Sequence, residues 1–292
     1  MKTRWMMMAG LVGLCGMAQA GFVTIGYPGN ARNTDGYGAV AYTYKISQYE
    51  VTIAQMRASG AGNGDEDFWN TGGRRLGTNA PAVNVSLYEA MKYCNWLTSG
   101  DTKNGAYKFS DGVYESTDRA SAIAAYGKVY ALPTEDEWYK AAYFKPDGSG
   151  YSRYANGTGT VPAKSTDGLT GWNYSNAATN WTASTSPWTV EKGTAEQNGT
   201  FNMMGNVNEF MVTTTNATVF RGGRYNLGEA YEQSGRRDSI ADTSKYYIGF
   251  RVVEIIPEPA TVGMTTLRGG AGKIEKSSCR NYMVDILFIC RS

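Results

Sequence analysis

The sequence predicts a single, loop-rich α+β domain that extends from residue 22 to residue 256. Three helix-start signals are spread along this range, and short runs of β-branched and aromatic residues lie before and after them. Glycine supplies 36 and tyrosine 21 of the 292 residues, which is typical of chains with many turns and aromatic contacts. No proline- or serine-rich linker divides the range, so one domain fits better than two.

Each predicted helix begins with a capping box, in which a Ser or Thr and a Gln or Glu three residues later exchange hydrogen bonds with the backbone. The three boxes are Thr52 to Gln55, Ser86 to Glu89 and Thr134 to Glu137. The second helix carries apolar residues at helical spacing and ends at Gly100. Short strands are predicted before the first box, within residues 23–38 and 41–49, because both segments are rich in aromatic and β-branched residues.

Residues 145–201, after the third helix, follow neither a helical nor a strand period. A stretch of this length is either functional or held in place by contacts other than regular hydrogen bonding, such as bound ions. Three further strands are predicted after it, within residues 202–212, 219–223 and 247–253.

The irregular stretch contains several aromatic residues among few charges, including Trp172, Trp181 and Trp188. Aromatic faces hold sugar rings or peptides, which makes these three tryptophans candidate binding residues. The alternative is that the rings pack the stretch onto the domain, because a segment without regular structure needs apolar anchors.

The composition excludes several kinds of active site and partner. The chain has no histidine, so catalysis by Ser-His-Asp or Cys-His systems and metal sites ligated by imidazole are excluded. Lysine and arginine number 28 and acidic residues 26, for a net charge of +2. Because these charges form no long run of one sign, neither a nucleic-acid partner nor a polybasic membrane patch is predicted.

Residues 1–20 have the pattern of a secretory signal peptide. Lys2 and Arg4 precede an apolar run, and Ala18-Gln19-Ala20 forms a small-x-small cleavage site. We therefore expect cleavage after Ala20 and export of the chain. A buried N-terminal helix is the alternative.

Residues 257–292 are interpreted as a degenerate sorting tail. The string Ile255-Ile256-Pro257-Glu258-Pro259-Ala260 resembles the start of a PEP-CTERM signal, a surface tag of some Gram-negative bacteria. That family continues with a transmembrane stretch, which needs about 20 apolar residues, but charged residues interrupt this tail throughout. We expect no membrane span, and either a lost anchor or a coincidental match at a linker. Cys279 and Cys290 in this tail are able to bridge each other outside the cytoplasm.

Six blocks of sequence follow one another in an order found in a known family. The blocks are YKISQYEVT (44–52), APAVNVSLYEAMKYCNWL (80–97), LPTEDEWYKAAYF (132–144), NMMGNVNEF (202–210), FRGG (220–223) and GFRV (249–252). The chain thereby resembles the formylglycine-generating enzyme, or sulfatase-modifying factor, family, and especially its secreted branch with a PEP-CTERM tail. The resemblance implies the formylglycine-generating-enzyme-like variant of the C-type lectin fold.

The resemblance does not extend to the copper site of that family. There, two cysteines after the RGG motif hold Cu(I), which activates oxygen to oxidise a substrate cysteine to formylglycine. The equivalent positions here are Leu227 and Glu232, counted from the RGG glycines, and neither side chain replaces a thiolate as a Cu(I) ligand. Cys94 lies in the second predicted helix, where we expect it to be a small buried apolar residue. We therefore expect neither copper nor the oxidase reaction.

The resemblance does imply a calcium site. The family pattern N-x-x-G-N-x-W-E-W supplies a side-chain oxygen, two backbone carbonyls and a carboxylate, which are the hard ligands that Ca²⁺ prefers. In this chain those positions are Asn202, Gly205, Val207 and Glu209. The alternative is an ordinary turn followed by a strand with an exposed glutamate.

Weaker expectations follow from the same resemblance. A second calcium site in the family implies Asn173 and the carbonyl of Tyr174 as ligands, but the position expected to supply an aspartate falls near Ala183. Arg237 follows the RGG motif where the family has an arginine lining its cleft, so it is a candidate binding residue. Arg251 in the GFRV block is expected to pair within the core.

Together these features lead to one functional hypothesis and two alternatives. The hypothesis is a secreted, calcium-stabilised, non-catalytic module at the surface or in the matrix of a Gram-negative bacterium, with an extracellular polysaccharide or a secreted protein as partner. The first alternative is an oxidoreductase of the formylglycine-generating type that acts on a secreted partner. The second is a diversified lectin-like ligand-binding protein, with residues 225–247 as its variable surface.

Overall fold

In the residues that the structure describes, the fold consists of short strands and helices. The computed structural model describes residues 21–62, 77–165, 169–174, 186–213, 218–240 and 245–257. Its helices are α1 (Ile53–Ser59), α2 (Leu87–Ser99), α3 (Arg119–Tyr126) and α4 (Glu135–Tyr143). Its strands are β1 (Phe22–Ile25), β2 (Tyr44–Ser47), β3 (Tyr107–Ser110), β4 (Val113–Thr117), β5 (Val129–Ala131), β6 (Asn208–Met211), β7 (Thr218–Arg221), β8 (Asp238–Ile240), β9 (Ile248–Gly249) and β10 (Val253–Ile255).

The strands form two four-stranded sheets and a hairpin. The first sheet has the order β1-β2-β10-β5, in which every neighbouring pair is antiparallel. Within the described ranges, strands β3 and β4 pair only with each other. The second four-stranded sheet has the order β8-β7-β6-β9, in which β9 runs parallel to β6. This sheet carries the 202–210 block and the RGG motif side by side, because Glu209 on β6 pairs with Arg221 on β7.

The helix starts agree with the capping-box predictions. Both hydrogen bonds of the box are present at Thr52, Ser86 and Thr134, which are the N-caps of α1, α2 and α4. Gly100 ends α2 in the left-handed conformation with φ of 82°, a conformation that glycine adopts without a Cβ clash. The three predicted helices are thus confirmed, since capping and termination are local properties of the sequence.

Two predicted strands are shorter than expected, and several elements were not predicted. Residues 26–43 form turns and loops, so β1 covers only the start of the first segment predicted before α1, and β2 only the middle of the second. The strand predicted within residues 202–212 is β6, which occupies only the second half of that range, since residues 202–207 form an irregular loop. The hairpin β3–β4, the helix α3 and the strands β5 and β8 were not predicted.

One apolar core joins these elements. Side chains from α4, β2 and β6 are fully buried in it, among them Trp138, Tyr44 and Phe210. Phe250 lies between β9 and β10 and packs edge-to-face on Tyr93 of α2, with ring centroids 5.5 Å apart. The described residues therefore form a single mixed α/β domain with a few helices and several sheets.

Some of the predicted features lie outside the described residues. The signal peptide, the tail after Pro257 and the cysteines at 279 and 290 belong to this group. Cys94 is described, and it is fully buried on α2 as a free thiol, as predicted. No helix in the described ranges combines the length and the apolar character that a bilayer span requires.

Candidate functional site

The loop before β6 has an unusual backbone that brings three distant segments together. Asn202, Gly205 and Asn206 have φ values of 60°, 83° and 58°, in the left-handed region that few residues adopt. A Cβ on Gly205 would collide with the Asn173 carbonyl oxygen, so only glycine fits there. The Gly205 N–H donates to the Gly222 carbonyl at 2.6 Å, and the Asn206 N–H donates to the Asn173 carbonyl at 2.8 Å. The loop thus contacts both the RGG motif and the irregular stretch.

The four residues predicted as calcium ligands all lie on this loop or at the first positions of β6. Asn202, Val207 and Glu209 are each at most 2% exposed. The Asn202 amide donates through Nδ2 to the Val190 carbonyl oxygen at 3.0 Å. Because Nδ2 is used as a donor, Oδ1 is the atom of this side chain that remains to bind a cation.

Glu209 is the centre of a buried ion pair. Its two carboxylate oxygens accept hydrogen bonds from Nε and Nη2 of Arg251, both at 2.6 Å, and Oε2 also accepts one from Trp138 Nε1 at 2.6 Å. Glu209 and Arg251 are both fully buried. The expectation that Arg251 pairs within the core is confirmed, and the alternative of an exposed glutamate at position 209 is wrong.

A second buried carboxylate, Glu50, lies beside the same loop and was not singled out from the sequence. Its oxygens accept hydrogen bonds from Asn206 Nδ2 at 2.9 Å and from Asn202 Nδ2 at 3.3 Å. Burial and the neighbouring Glu209 raise the pKa of Glu50 to about 8, although Arg251 opposes the shift. Glu50 precedes the first capping box within the YKISQYEVT block, which is the signal that links it to the family pattern.

A third carboxylate, Glu196, comes from the irregular stretch. It accepts hydrogen bonds from the Thr200 hydroxyl at 2.9 Å and from the N–H groups of Met203 and Met204 at 3.1 and 2.9 Å. Burial raises its pKa to about 7, against the opposing charge of Arg251. Glu196 therefore fastens the start of the loop, and no periodic pattern in the sequence marked it.

The fourth carboxylate is Glu232, at the second of the two positions where copper-binding cysteines were expected from the count after the RGG motif. It is fully buried against Gly223 of the RGG motif. Among the described residues, neither of its oxygens has a hydrogen-bond partner. Burial, followed by the charge of Glu196, raises the pKa of Glu232 well above its ordinary value, against the opposing effect of the Gly205 N–H.

These side chains leave the site with an excess of negative charge. Glu50, Glu196, Glu209 and Glu232 are four buried carboxylates, and Arg251 is the buried cation that interacts with the first three. If all were ionised, four negative charges and one positive charge would leave a net charge of minus three. Buried charges of one sign are strongly unfavourable, so the site takes up protons or a cation.

A cation at this loop would draw most of its ligands from neutral oxygens. The described side chains contain no group of three or more His, Cys, Asp or Glu residues placed to hold an ion. Calcium accepts backbone and amide carbonyl oxygens together with few carboxylates. The predicted set, with one carboxylate and two backbone carbonyls, is of that kind.

Polar atoms without partners continue from the site towards the loop after β7. Both amide atoms of Asn208, Nε of Arg224 and Oδ1 of Asn226 are buried without a hydrogen-bond partner in the described part of the chain. The Arg224 guanidinium stacks on the ring of Tyr247, 3.6 Å from its centroid. Buried polar atoms normally have partners, so this group of side chains marks a place for water or a polar ligand.

The second predicted calcium site is described only in part. Asn173 is buried and donates through Nδ2 to Asn206 Oδ1 at 3.0 Å, which places it against the first site. Tyr174 is buried, with its hydroxyl donating to the Pro162 carbonyl at 2.6 Å. The position near Ala183 lies outside the described residues.

The predicted binding residues are mostly occupied by contacts within the protein. Trp172 is 8% exposed and belongs to the core, and Trp188 is half-buried with its backbone N–H donating to Asn206 Oδ1 at 2.8 Å. Both therefore pack the irregular stretch onto the domain, and Trp181 lies outside the described residues. Arg237 donates to both oxygens of Glu135 at 2.9 and 3.1 Å.

Comparison with known proteins agrees with the order of the sequence blocks. The chain matches the family model for the sulfatase-modifying factor enzyme 1-like domain over residues 18–256, and no curated protein matches it. Treponema denticola variable protein 1 has a similar structure, with a TM-score of 0.54 and 20% identity over 81% of this chain and 95% of that one. The crystal structure of CarF is also similar, with a TM-score of 0.55 and 21% identity over 82% of this chain and 99% of that one.

Identities this low show a shared fold and leave activity open. The family model, in contrast, covers most of the chain and includes all six sequence blocks. The chain belongs to the sulfatase-modifying factor enzyme 1-like (FGE-sulfatase) domain family.

Proposed function

We propose that this domain is a secreted, calcium-stabilised and non-catalytic member of its family, built on the lectin-like variant of the fold. In this proposal it acts as a binding or structural module at the surface or in the matrix of a Gram-negative bacterium. The observation that carries the proposal is the buried charge at the loop before β6, where Arg251 interacts with three buried carboxylates and Glu232 adds a fourth buried carboxylate.

A calcium ion at this loop would offset the excess negative charge. Asn202 Oδ1, the carbonyls of Gly205 and Val207, and the carboxylate of Glu209 are the ligands that we propose. A carboxylate has about four acceptor sites, and hydrogen bonds from Arg251 and Trp138 use three of those on Glu209. One site on Oε1 therefore remains for the ion.

The proposal of a non-catalytic role rests on the residues at the two copper positions. Leu227 and Glu232 stand there, and neither supplies the thiolate that Cu(I) requires. Cys94 is on α2, where burial raises the pKa of its thiol and keeps it protonated. An oxidoreductase of the formylglycine-generating type remains the alternative, and formylglycine in a co-expressed sulfatase peptide would support it.

A diversified ligand-binding protein is the second candidate function. The solved structure of similar fold from Treponema denticola is named a variable protein. In the present chain, the loop between the RGG and GFRV motifs contains Tyr246, which is 40% exposed, and Arg236, whose side chain is 43% exposed. Sequences of the locus from sibling isolates test this candidate, because clustered changes in residues 225–247 support it and uniform drift contradicts it.

Metal analysis of the purified protein tests the leading proposal. We expect about one calcium per chain and a melting temperature that falls when EGTA removes it. Glu209→Gln should weaken calcium binding, whereas Glu191→Gln, at an exposed position of the irregular stretch, should leave it unchanged. Protein without calcium and with no response to EGTA would contradict the proposal.

A further inference from the structure

A large cleft opens at the end of β6 that lies away from the calcium loop. Its volume is about 1130 Å³, slightly more than the roughly 300–1,000 Å³ of typical ligand-binding sites. Its walls are residues 36–42, the first turns of α2 and α4, the hairpin β3–β4, and Met211 with the two residues after it. Asn208 at the other end of β6 does not line it, so the cleft is separate from the candidate site described above.

Four half-buried tyrosines dominate the walls of the cleft. They are Tyr37, Tyr42, Tyr88 and Tyr114. The rings of the last two stack with centroids 6.0 Å apart and an interplanar angle of 21°, and Phe109 packs edge-on against both. This packing holds one wall as a rigid aromatic surface, because aromatic pairs in such geometries stabilise one another.

Two of these tyrosines offer the cleft their rings and not their hydroxyl groups. The Tyr42 hydroxyl donates to Glu137 Oε1 at 2.7 Å. The Tyr114 hydroxyl shares a hydrogen bond of 2.8 Å with the Thr117 hydroxyl. Their polar atoms are therefore occupied, and a ligand meets mainly aromatic faces.

The charged side chains along the cleft are paired with other groups of the protein. Arg119 donates to Glu137 at 2.8 Å, and Glu135 pairs with Arg221 and Arg237 at 2.7 and 2.9 Å. Asp136 accepts a hydrogen bond from the Gly38 N–H at 2.8 Å, at the positive end of the α4 dipole. Among the described residues that line the cleft, no cation is left unpaired to bind a polyanion, and few charged groups are left to pair with a strongly charged peptide.

We propose that this cleft binds a neutral oligosaccharide. Sugar rings present apolar C–H faces, which match the tyrosine faces, and a rim of hydroxyl groups, which match the Asp136 carboxylate that lines the cleft. Proline-rich peptides also dock in aromatic grooves, but they need donors for their carbonyls, and the hydroxyls of Tyr42 and Tyr114 are already used. The inference rests on the proposed role as a binding module and names its ligand, without using any residue of the calcium loop.

Binding to defined probes tests the inference. The full chain is titrated by calorimetry with cellohexaose, maltohexaose and mannohexaose, and with decaproline as the peptide probe. We expect at least one hexasaccharide to bind, and Tyr88→Ala to weaken it about tenfold, as the loss of one aromatic contact implies. Tyr126→Ala removes a tyrosine that is 43% exposed outside the cleft and should leave the affinity unchanged.

A second variant keeps the test decisive even where Tyr88→Ala fails to fold. Ala41 is exposed and lines the cleft, so Ala41→Glu adds bulk and charge there without removing a core contact, and we expect a similar loss of affinity. Binding of no hexasaccharide, binding that both variants leave intact, or binding of decaproline alone would overturn the inference. Every titration is repeated in EGTA, so that the cleft and the calcium site are tested separately. Sugar binding by calcium-free protein would support the proposed role of the cleft even where the calcium proposal fails.

Discussion

Replacement of Glu232 by methionine is expected to stabilise the domain. Glu232 is fully buried, and neither carboxylate oxygen has a partner in the described ranges. Methionine is unbranched, of similar length and free of strong donors or acceptors, so it fills the same space against Gly223 without an unpaired polar atom.

The size of the effect follows from the cost of an unsatisfied buried group. That cost is about 1–3 kcal/mol, so the free energy of unfolding should rise by about this amount. For a domain of this size each kcal/mol corresponds to about 2–4 °C in melting temperature. The gain should also be larger at pH 8 than at pH 5. Because the folded-state pKa of Glu232 is raised, the folded protein keeps a proton that the unfolded chain releases, and this costs more stability as the pH rises.

Urea unfolding of the wild type, Glu232→Met and Glu229→Met measures these differences. Glu229 is an exposed residue of the short 3-10 helix that ends just before Glu232, so its replacement is the matched control and should change stability little. All three proteins are compared in CaCl₂ and in EGTA. Destabilisation by Glu232→Met would refute the reasoning. If the loss were confined to CaCl₂, Glu232 would be a ligand of the ion, and if it occurred in both, the carboxylate would have another partner.

Four other substitutions test the structure. Arg251→Met should cost about 3–5 kcal/mol in urea unfolding, because it leaves the buried Glu209 without its partner; a loss below 1 kcal/mol would contradict this. Gly205→Ala should prevent stable folding, measured by circular dichroism, since a Cβ meets the Asn173 carbonyl and φ is 83°. In EGTA, the free energy of unfolding of the wild type should fall between about pH 4.5 and 7, because over this range the unfolded chain releases the proton that Glu196 retains in the folded protein. Glu196→Gln should make this dependence on pH less steep. An unchanged dependence on pH would exclude Glu196 as its source. Ser86→Ala should cost about 1 kcal/mol through loss of the α2 cap, and exposed Ser116→Ala should cost little.

The parts of the fold that could be predicted from sequence are those with local signals. The capping boxes at Thr52, Ser86 and Thr134 fix helix starts by contacts within four residues, and all three are present. Helix α3 has an N-cap at Asp118 and a left-handed Gly127 after it, but Ala122 is its one buried residue. It therefore shows no apolar period, and the sequence pattern did not reveal it.

The site was predictable only where one segment carries a whole pattern. The loop from Asn202 to Glu209 is contiguous, so its family pattern was visible in the sequence. Glu50 reaches the same place from a segment far away in the chain, and Glu196 comes from the irregular stretch before the loop; neither glutamate belongs to a sequence pattern that indicates its burial. Their roles emerge only when the fold sets their carboxylates around the same arginine.

The central position of β10 sets the order in which the domain can assemble. This strand, at residues 253–255, pairs with β2 on one side and β5 on the other. Until it has been synthesised, β2 keeps one unpaired edge and β5 has no strand partner in the described sheet, and an open edge is a template for aggregation. A chain truncated before Val253 would keep both edges open, so the last strand of the domain protects its first sheet from association with other chains. A pulling force applied through the residues after Pro257 would act on the two ladders of hydrogen bonds that β10 forms. A force applied to β1 would act on one ladder, because β1 pairs on one side alone. The domain should therefore resist unfolding by force more strongly when it is pulled from β10 than when it is pulled from β1.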